Sequence, residues 1–436
     1  MISFYFPEFV LKKCAQNYSE HHLQAELSQL NETLNKNDVG FFWDKDFEKN
    51  LIHCQEIYEK FKHKKYFFQV GIGGSSLGAE MLTQALSSDK TQIKFSFINN
   101  IDPDALHEQI SSLFGPLSHL DINDAIFYFV SKSGATAETL ATFSIISGLL
   151  KSHGISDDQL KSFFVFATDP QHGDLRQIGK DLKIITLDIP SNIGGRFSAL
   201  TPVGIFPALF INKEVKNFLK YRENIQKFLL ENFSPKNPVF LLAHLLFEYK
   251  KNYQVNQTVL MPYSSKLNKF SSWFVQLWAE SLGKKEGLNQ KEIYTGLTPI
   301  MSYGATDQHS QMQLFKDGPW DKFIIFIEVE NFHQNYQLAN SFDYPSLKKL
   351  SPYSLSQLME AEFKGTLRAL EEDKRPFVSL KIPNINWETL IELVLFFETL
   401  TVLMGQHLNL DPFNQPGVEA GKKYAFEFLA KLTPSP

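Results

Sequence analysis

YFFQVGIGGSSLGAEMLTQAL, residues 66–86, reads as strand, loop and helix and sets the pattern for the rest of the chain. Tyr66, Phe67, Phe68, Val70 and Ile72 around Gln69 predict a buried strand, and the breaker-poor run Ala79 to Leu86 predicts a helix. Between them, Gly71, Gly73, Gly74 and Gly78 permit positive φ and close backbone approach, so amides at the helix start can face an anion. Ser75 and Ser76 add hydroxyl donors. The spacing matches neither common phosphate fingerprint. A dinucleotide loop needs Gly at Ser76, and a Walker loop counted from Gly73 to Gly78 needs Lys where Ala79 stands. The stretch is an anion cradle or, more plainly, a tight turn that packs a strand on a helix.

Working outward, strand-like runs at Ile93 to Ile98, Ala125 to Ser131, Phe163 to Ala167 and Lys183 to Leu187 alternate with helical segments. This predicts a parallel sheet covered by helices on both faces, with ligands at the carboxyl ends of the strands. Residues 1 to about 62 read as a polar helical lead-in, with Leu23, Leu27, Leu30 and Leu34 at helical spacing. After Gly194 and Gly195 the chain reads as helices punctuated by Ser234, Pro235, Asn237 and Pro238. A second series follows, with strands at Thr258 to Met261, Phe323 to Val329 and Phe377 to Ile382 and helices near 265–283, 354–373 and 386–404. Two related α/β sandwiches facing one another are expected, with the site in the cleft between them. A last helix after Pro416 precedes a short tail, Thr433 to Pro436.

At 436 residues and 43% hydrophobic content the chain can fill two or three cores, and its 40 phenylalanines read as core filling. The net charge of −5 comes without a basic block, which suggests neither nucleic acid nor an anionic membrane as partner. Cys14 and Cys54 make no disulfide framework and no metal-type spacing, so a reducing cytoplasm is expected and both thiols are expected to be inert. The N-terminus has no basic residue before its first apolar run, which argues against a secretory signal. Leu390 to Met404, interrupted by Glu392 and Glu398, falls short of a bilayer span and predicts a buried amphipathic helix.

Chemistry concentrates in a few stretches. Ser131-Lys132-Ser133-Gly134-Ala135-Thr136 ends the third strand and opens a helix, so its hydroxyls, the helix amides and the lysine can hold a phosphate monoester. Helix capping by Ser133 or Thr136 is the plainer alternative for one loop, but two such loops on neighbouring parallel strands favour an anion site. Arg196 follows a glycine pair, and a guanidinium stabilises a developing oxyanion without exchanging protons; an ion pair between domains would explain it as well. The helix Phe270 to Lys284 buries Phe270, Phe274, Leu277, Trp278 and Ser281 and places Glu280 on its flank. A half-buried carboxylate there suits a general base, although for the helix taken alone an i,i+4 pair with Lys284, worth about 0.2–0.5 kcal/mol, is the better account. His309, in Asp307-Gln308-His309-Ser310, is the side-chain type suited to proton transfer near neutral pH. Lys422, in the run from Gln415 to Lys422, reads as a solvated helix lysine. No HxH or HExxH spacing occurs, so no metal is expected.

Together GIGGSSLG, SKSGATAET, GGRFSALTPVG, MPYSSKL with WAESLGK, DQHS and QPGVEAGK resemble, in order and spacing, the phosphoglucose isomerase family. The resemblance covers most of the chain. It implies two sugar-isomerase-type α/β/α sandwich domains with mostly parallel sheets, plus helical terminal segments. Their expected bounds are a lead-in at 1–62, a first domain at 63–200, a second at 201–415 and a C-terminal helix at 416–436. It also implies interconversion of glucose 6-phosphate and fructose 6-phosphate in glycolysis and gluconeogenesis, in the cytoplasm and without a cofactor or metal. By the same resemblance, Ser131, Lys132, Ser133 and Thr136 match the phosphate cradle, Ser75 the other sugar-phosphate loop, and Arg196 the arginine that steadies the enediolate. Glu280 matches the base that moves a proton between C1 and C2, Gln276 and Gln415 lie in the substrate site, and His309 and Lys422 match the groups that open the ring. The histidine reaches the site from the neighbouring subunit in that family, which implies a homodimer. Ser133 stands where the family often has Thr, and Ala135 replaces another Thr, so one loop hydroxyl is lost. Two readings stay open beside the isomerase: a non-catalytic sugar-phosphate sensor, and an isomerase that also accepts mannose 6-phosphate.

Overall fold

The structure, a computed structural model, describes residues 2–14, 20–35, 39–42, 45–115, 120–212, 217–231 and 237–432. The side chains of Leu23, Leu34 and Cys14, the breakers Ser234 and Pro235, and the tail Thr433 to Pro436 lie outside that description.

The lead-in is not helical throughout. Its first strand, β1 (Ser3–Tyr5), precedes the helices Glu8–Cys14, Glu20–Asn35 and Phe47–Phe61. Strands β2 (Tyr66–Val70), β3 (Lys94–Ile98), β4 (Ala125–Ser131), β5 (Phe164–Thr168) and β6 (Ile185–Asp188) form one sheet in the order β3-β2-β4-β5-β6. All its pairings are parallel, as the alternating strands and helices require. The central strand β4 is buried at every position, which is why it reads as an unbroken apolar run. Phe127 and Phe129 meet Phe143, Phe164 and Phe166 largely edge to face, so these phenylalanines fill the core as expected.

The second sheet adds β7 (Gln257–Pro262), β10 (Thr298–Met301), β11 (Lys322–Val329) and β12 (Phe377–Ile382), in the order β1-β12-β11-β7-β10. Its pairings are parallel except that β1 runs antiparallel to β12. A separate ribbon pairs β8 (Lys284–Glu286) with β9 (Glu292–Thr295). Lys284 therefore belongs to a strand, and the helix expected over Phe270 to Lys284 is Asn268–Leu282, closed by Gly283.

Between the sheets lies one continuous core. Phe270 and Phe274 of the Asn268–Leu282 helix pack on Phe397, with ring centroids 5.5 and 5.3 Å apart. Burying each such side chain contributes about 1.5–3 kcal/mol. On its other side this helix meets Leu77–Leu86, where the Lys269 amide donates to Gln84 (2.8 Å) and its ammonium pairs with Glu80 (2.7 Å). Burial raises the Glu80 pKa, but hydrogen bonds from Lys269 and Ser76 outweigh it and hold the carboxyl below its ordinary value. The helix following the first glycine loop is thereby locked to the helix carrying Glu280.

The apolar run near the C-terminus forms the helix Trp387–His407, which is buried almost all round rather than amphipathic. Two of its acidic residues are accommodated inside: Glu392 accepts from the Ile2 amide at 2.9 Å, and burial pushes the Glu398 carboxyl well up, towards its neutral form. The strand β1 supplies part of this cover. Among the described residues no helix is long and apolar enough to cross a membrane. Cys54 is a free, buried thiol pushed up by desolvation, which makes it inert as a nucleophile.

Candidate active site

Two loops leave the first sheet side by side. Val70 is paired with Phe129, so the loops after β2 and β4 start at nearly the same level of neighbouring strands. In the first loop, Gln69 on β2 donates to the Ser75 carbonyl at 2.8 Å and ties the loop back to its strand. Glycine is required at position 74, because a Cβ there would lie 2.2 Å from the Gly195 carbonyl carbon. That close approach docks the loop on the segment bearing Arg196, and Ser198 Oγ adds a bond to the Gly74 carbonyl at 3.1 Å.

In the second loop, Ser131 Oγ and Thr136 Oγ lie 2.7 Å apart, and the Ala135 amide donates to Ser133 Oγ at 3.3 Å. Thr136 occupies the N-cap of the helix Ala137–Ser152, yet its hydroxyl makes no cap bond. Capping therefore does not account for the Thr136 hydroxyl, and the positive end of the helix faces the loop. Lys132 donates to the Ser191 carbonyl at 2.8 Å, and burial lowers its pKa, with Asp169 acting in the opposite sense. The chain from Ser191 to Arg196 thus touches both loops. Gly173 supports the second loop from behind at φ +96°, where a Cβ would lie 2.3 Å from the Ser133 carbonyl oxygen.

Arg196 is the centre of the second cluster and is 2% exposed. Its Nε donates to Ser281 Oγ at 2.7 Å, and Nη1 to Gln415 Oε1 at 2.9 Å and to Glu280 Oε2 at 3.4 Å. Nη2 donates to the carbonyls of Pro412 and of Asn414, the latter at 3.0 Å. Burial lowers the guanidinium pKa while Glu280 and Asp411 raise it, and an arginine so placed stays charged. Glu280 is half-buried on the helix flank, as the apolar stripe predicts, and its Oε1 accepts from Gln276 Nε2 at 3.0 Å. Gln276 Oε1 is buried and has no partner among the described residues.

The structure thus brings Arg196, Glu280, Gln276 and Gln415 together beside the Ser75 loop, with Ser131, Lys132, Ser133 and Thr136 on the adjoining strand end. Two expected residues stand apart. His309 is exposed on the short turn Thr306–His309. Lys422 pairs with Glu419 at 2.8 Å on the helix Glu419–Leu429, which is exposed along its length. Neither bonds to the Glu280 cluster among the described residues. Three groups to which the sequence reading gave no part in the site complete the cluster: Ser281, Lys284 and the backbone of residues 412–414. Lys284 Nζ donates to the Glu280 carbonyl at 2.6 Å and to the Asn414 carbonyl at 2.7 Å, and does not pair with the Glu280 carboxylate. No group of three or more His, Cys, Asp or Glu side chains suited to a metal ion occurs among the described residues.

The chain is similar to several known proteins. A glucose-6-phosphate isomerase of Carboxydothermus hydrogenoformans is 36% identical over 433 residues, covering 95% of this chain and 89% of its own. The crystal structure of a hypothetical protein of Thermus thermophilus superposes with a TM-score of 0.86 at 28% identity, over 98% of this chain and 100% of the other. A Chlamydia trachomatis glucose-6-phosphate isomerase structure shares the fold, with a TM-score of 0.72 at 22% identity over 98% of this chain and 79% of its own. The family model described as phosphoglucose isomerase matches residues 44–436, nearly the whole chain. A match to the family model over residues 44–436 and 36% identity to a relative over 95% of the chain show that the chain belongs to the phosphoglucose isomerase family.

Proposed function

We propose that this chain interconverts glucose 6-phosphate and fructose 6-phosphate through a cis-enediolate, with Glu280 as the only base for the proton transfer. The observation that carries this reading is the pairing of a half-exposed carboxylate with a buried, permanently charged guanidinium in one cluster, next to two loops rich in hydroxyls and amides. An aldose–ketose shift needs one group to take a carbon-bound proton and return it one carbon away. Glu280, placed over C1 and C2, does this, and positioned acid–base catalysis contributes about 10²–10⁴-fold. The enediolate oxygen gains negative charge as the proton leaves, and Arg196 stabilises it without reorganisation because five hydrogen bonds already fix the guanidinium. Ser131, Lys132, Ser133 and Thr136 hold the phosphate at the helix start, Ser75 lines the neighbouring loop, and Gln276 and Gln415 meet sugar hydroxyls. The division near residue 200 places the phosphate loops on the first sheet and the base on a helix that spans to the second.

Ring opening falls to His309 and Lys422. His309, exposed on its own chain, serves the site of a second copy in a homodimer, and Lys422 reaches the sugar when the C-terminal helix swings towards the cleft. A cytoplasmic location is proposed on the strength of the free, buried Cys54. The first experiment is conversion of fructose 6-phosphate to glucose 6-phosphate by purified protein in a chelator-containing buffer, with mannose 6-phosphate checked as a product. Turnover is expected; binding without turnover makes the chain a sensor. Subunit sharing has its own test. Glu280→Gln and His309→Ala chains, each nearly inactive, are unfolded together and refolded, and hybrids with one intact site are expected to recover roughly a quarter of wild-type activity. No recovery in verified mixed dimers places His309 in its own chain's site.

A further inference from the structure

Lys284 is 7% exposed, lies just beyond the Asn268–Leu282 helix, and enters none of the chemical steps above. Its ammonium occupies a particular place. The Glu280 carbonyl is among the last four of its helix, which lack a partner within the helix, and Lys284 Nζ supplies one at 2.6 Å. The same Nζ donates to the Asn414 carbonyl at 2.7 Å, and that carbonyl also accepts from Arg196 Nη2 at 3.0 Å. One carbonyl thus joins two cations, and through Lys284 the residue carrying the carboxylate is bridged to the segment carrying Gln415.

We propose that Lys284 is a positioning residue for the isomerisation, its ammonium holding the Glu280 end of the helix against residues 411–415 and so fixing the carboxylate relative to Arg196 and Gln415. The proposal rests on the assignment of Glu280 and Arg196 given above. Two like charges meeting at one carbonyl repel, and Asp411 and Glu280 compensate on the facing elements. Lys285 and Glu286 of β8 line the adjoining hollow of about 460 Å³ together with Asp411, Asn414 and Pro416. Burial first, and Arg196 second, lower the Lys284 pKa to about 8, against the raising effect of Asp411 and Glu280. The charge that makes the bridge is therefore lost as pH rises through about 8. The unfolded chain binds more protons at this lysine between there and its ordinary value, so over that window its contribution to stability rises with pH. Activity lost through Lys284 on the alkaline side is thus not accompanied by stability lost through it, and that separates positioning from a merely structural role.

The test measures kcat and KM across pH for wild type, Lys284→Met and Lys284→Arg, with Glu280→Gln alongside. Lys284→Met is expected to lower kcat about 10–10²-fold, with KM changed much less, because a displacement of about 1 Å in a reacting group costs that much. Wild-type kcat is expected to fall as pH rises through about 8. The methionine variant lacks that limb, and the arginine variant, charged throughout, keeps most of kcat and moves the limb to higher pH. A folded Lys284→Met enzyme with wild-type kcat and pH profile overturns the proposal. If that variant does not fold, an arginine variant that keeps the wild-type alkaline limb overturns it, as does a wild type with no fall near that pH. Should Glu280→Gln retain turnover, the assignment of the base fails instead, a separate result.

Discussion

Glu280→Gln is expected to bind sugar phosphate with near wild-type affinity and to lose isomerisation by about 10²–10⁴-fold, the contribution of a positioned base. The amide has the carboxylate's shape, so the Phe270, Phe274 and Trp278 packing that places it is untouched, and Gln276 Nε2 still finds an oxygen acceptor. What disappears is the ability to accept a proton from carbon. Stability is expected to change little, because the carboxylate is 32% exposed and its Arg196 contact is 3.4 Å long. A coupled assay in both directions, with calorimetric binding of fructose 6-phosphate, checks both halves. Turnover within tenfold of wild type removes Glu280 from the proton transfer.

Arg196→Ala is expected to lower kcat by about 10²–10³-fold, more than it weakens substrate binding, as loss of a preorganised oxyanion partner does. The residue also has a structural duty. Its guanidinium holds the Pro412 and Asn414 carbonyls and the Ser281 hydroxyl; without it the Asn414 carbonyl keeps Lys284, but the Pro412 carbonyl and the Ser281 hydroxyl lose this donor at about 1–3 kcal/mol each. Denaturant unfolding is therefore run in parallel, and turnover is scored only on folded enzyme. Arg196→Lys separates the two duties: it keeps the charge but not the fork that reaches Ser281 and the Asn414 carbonyl together, so it recovers only part of kcat. A folded Arg196→Ala enzyme with unchanged kcat eliminates the oxyanion role.

The strands at the heart of both sheets were legible because burial on both faces turns them into apolar runs: Tyr66–Val70, Ala125–Ser131 and Phe377–Ile382 match their expected positions closely. The strands that escaped notice are short or polar and lie at edges. β1 is three residues long, β8 and β9 carry Lys and Glu, and β10 contains Pro299, which an edge strand tolerates. Glu280 was visible as a polar residue at the margin of an apolar helical stripe, and the second loop as hydroxyls at a strand end. Lys284 was hidden for a physical reason. Its i,i+4 spacing to Glu280 invites an ion pair, whereas the helix ends between them and the ammonium turns to the backbone carbonyl. The Pro412 and Asn414 contacts to Arg196 run through main-chain oxygens, which any residue type supplies, so no side-chain pattern announces them.

In the proposed reaction one half-exposed carboxylate carries a proton between C1 and C2. The most direct test is glucose 6-phosphate turned over in heavy water, with deuterium at C1 of the fructose 6-phosphate product counted at early conversion. Because the Glu280 side chain is 32% exposed, the proton it holds exchanges with solvent in some of the turnovers, and deuterium is expected at C1 of part of the product. Product free of solvent deuterium at every stage, together with a Glu280→Gln enzyme that turns over within tenfold of wild type, would mean that hydrogen passes directly from carbon to carbon and that Glu280 is not the base.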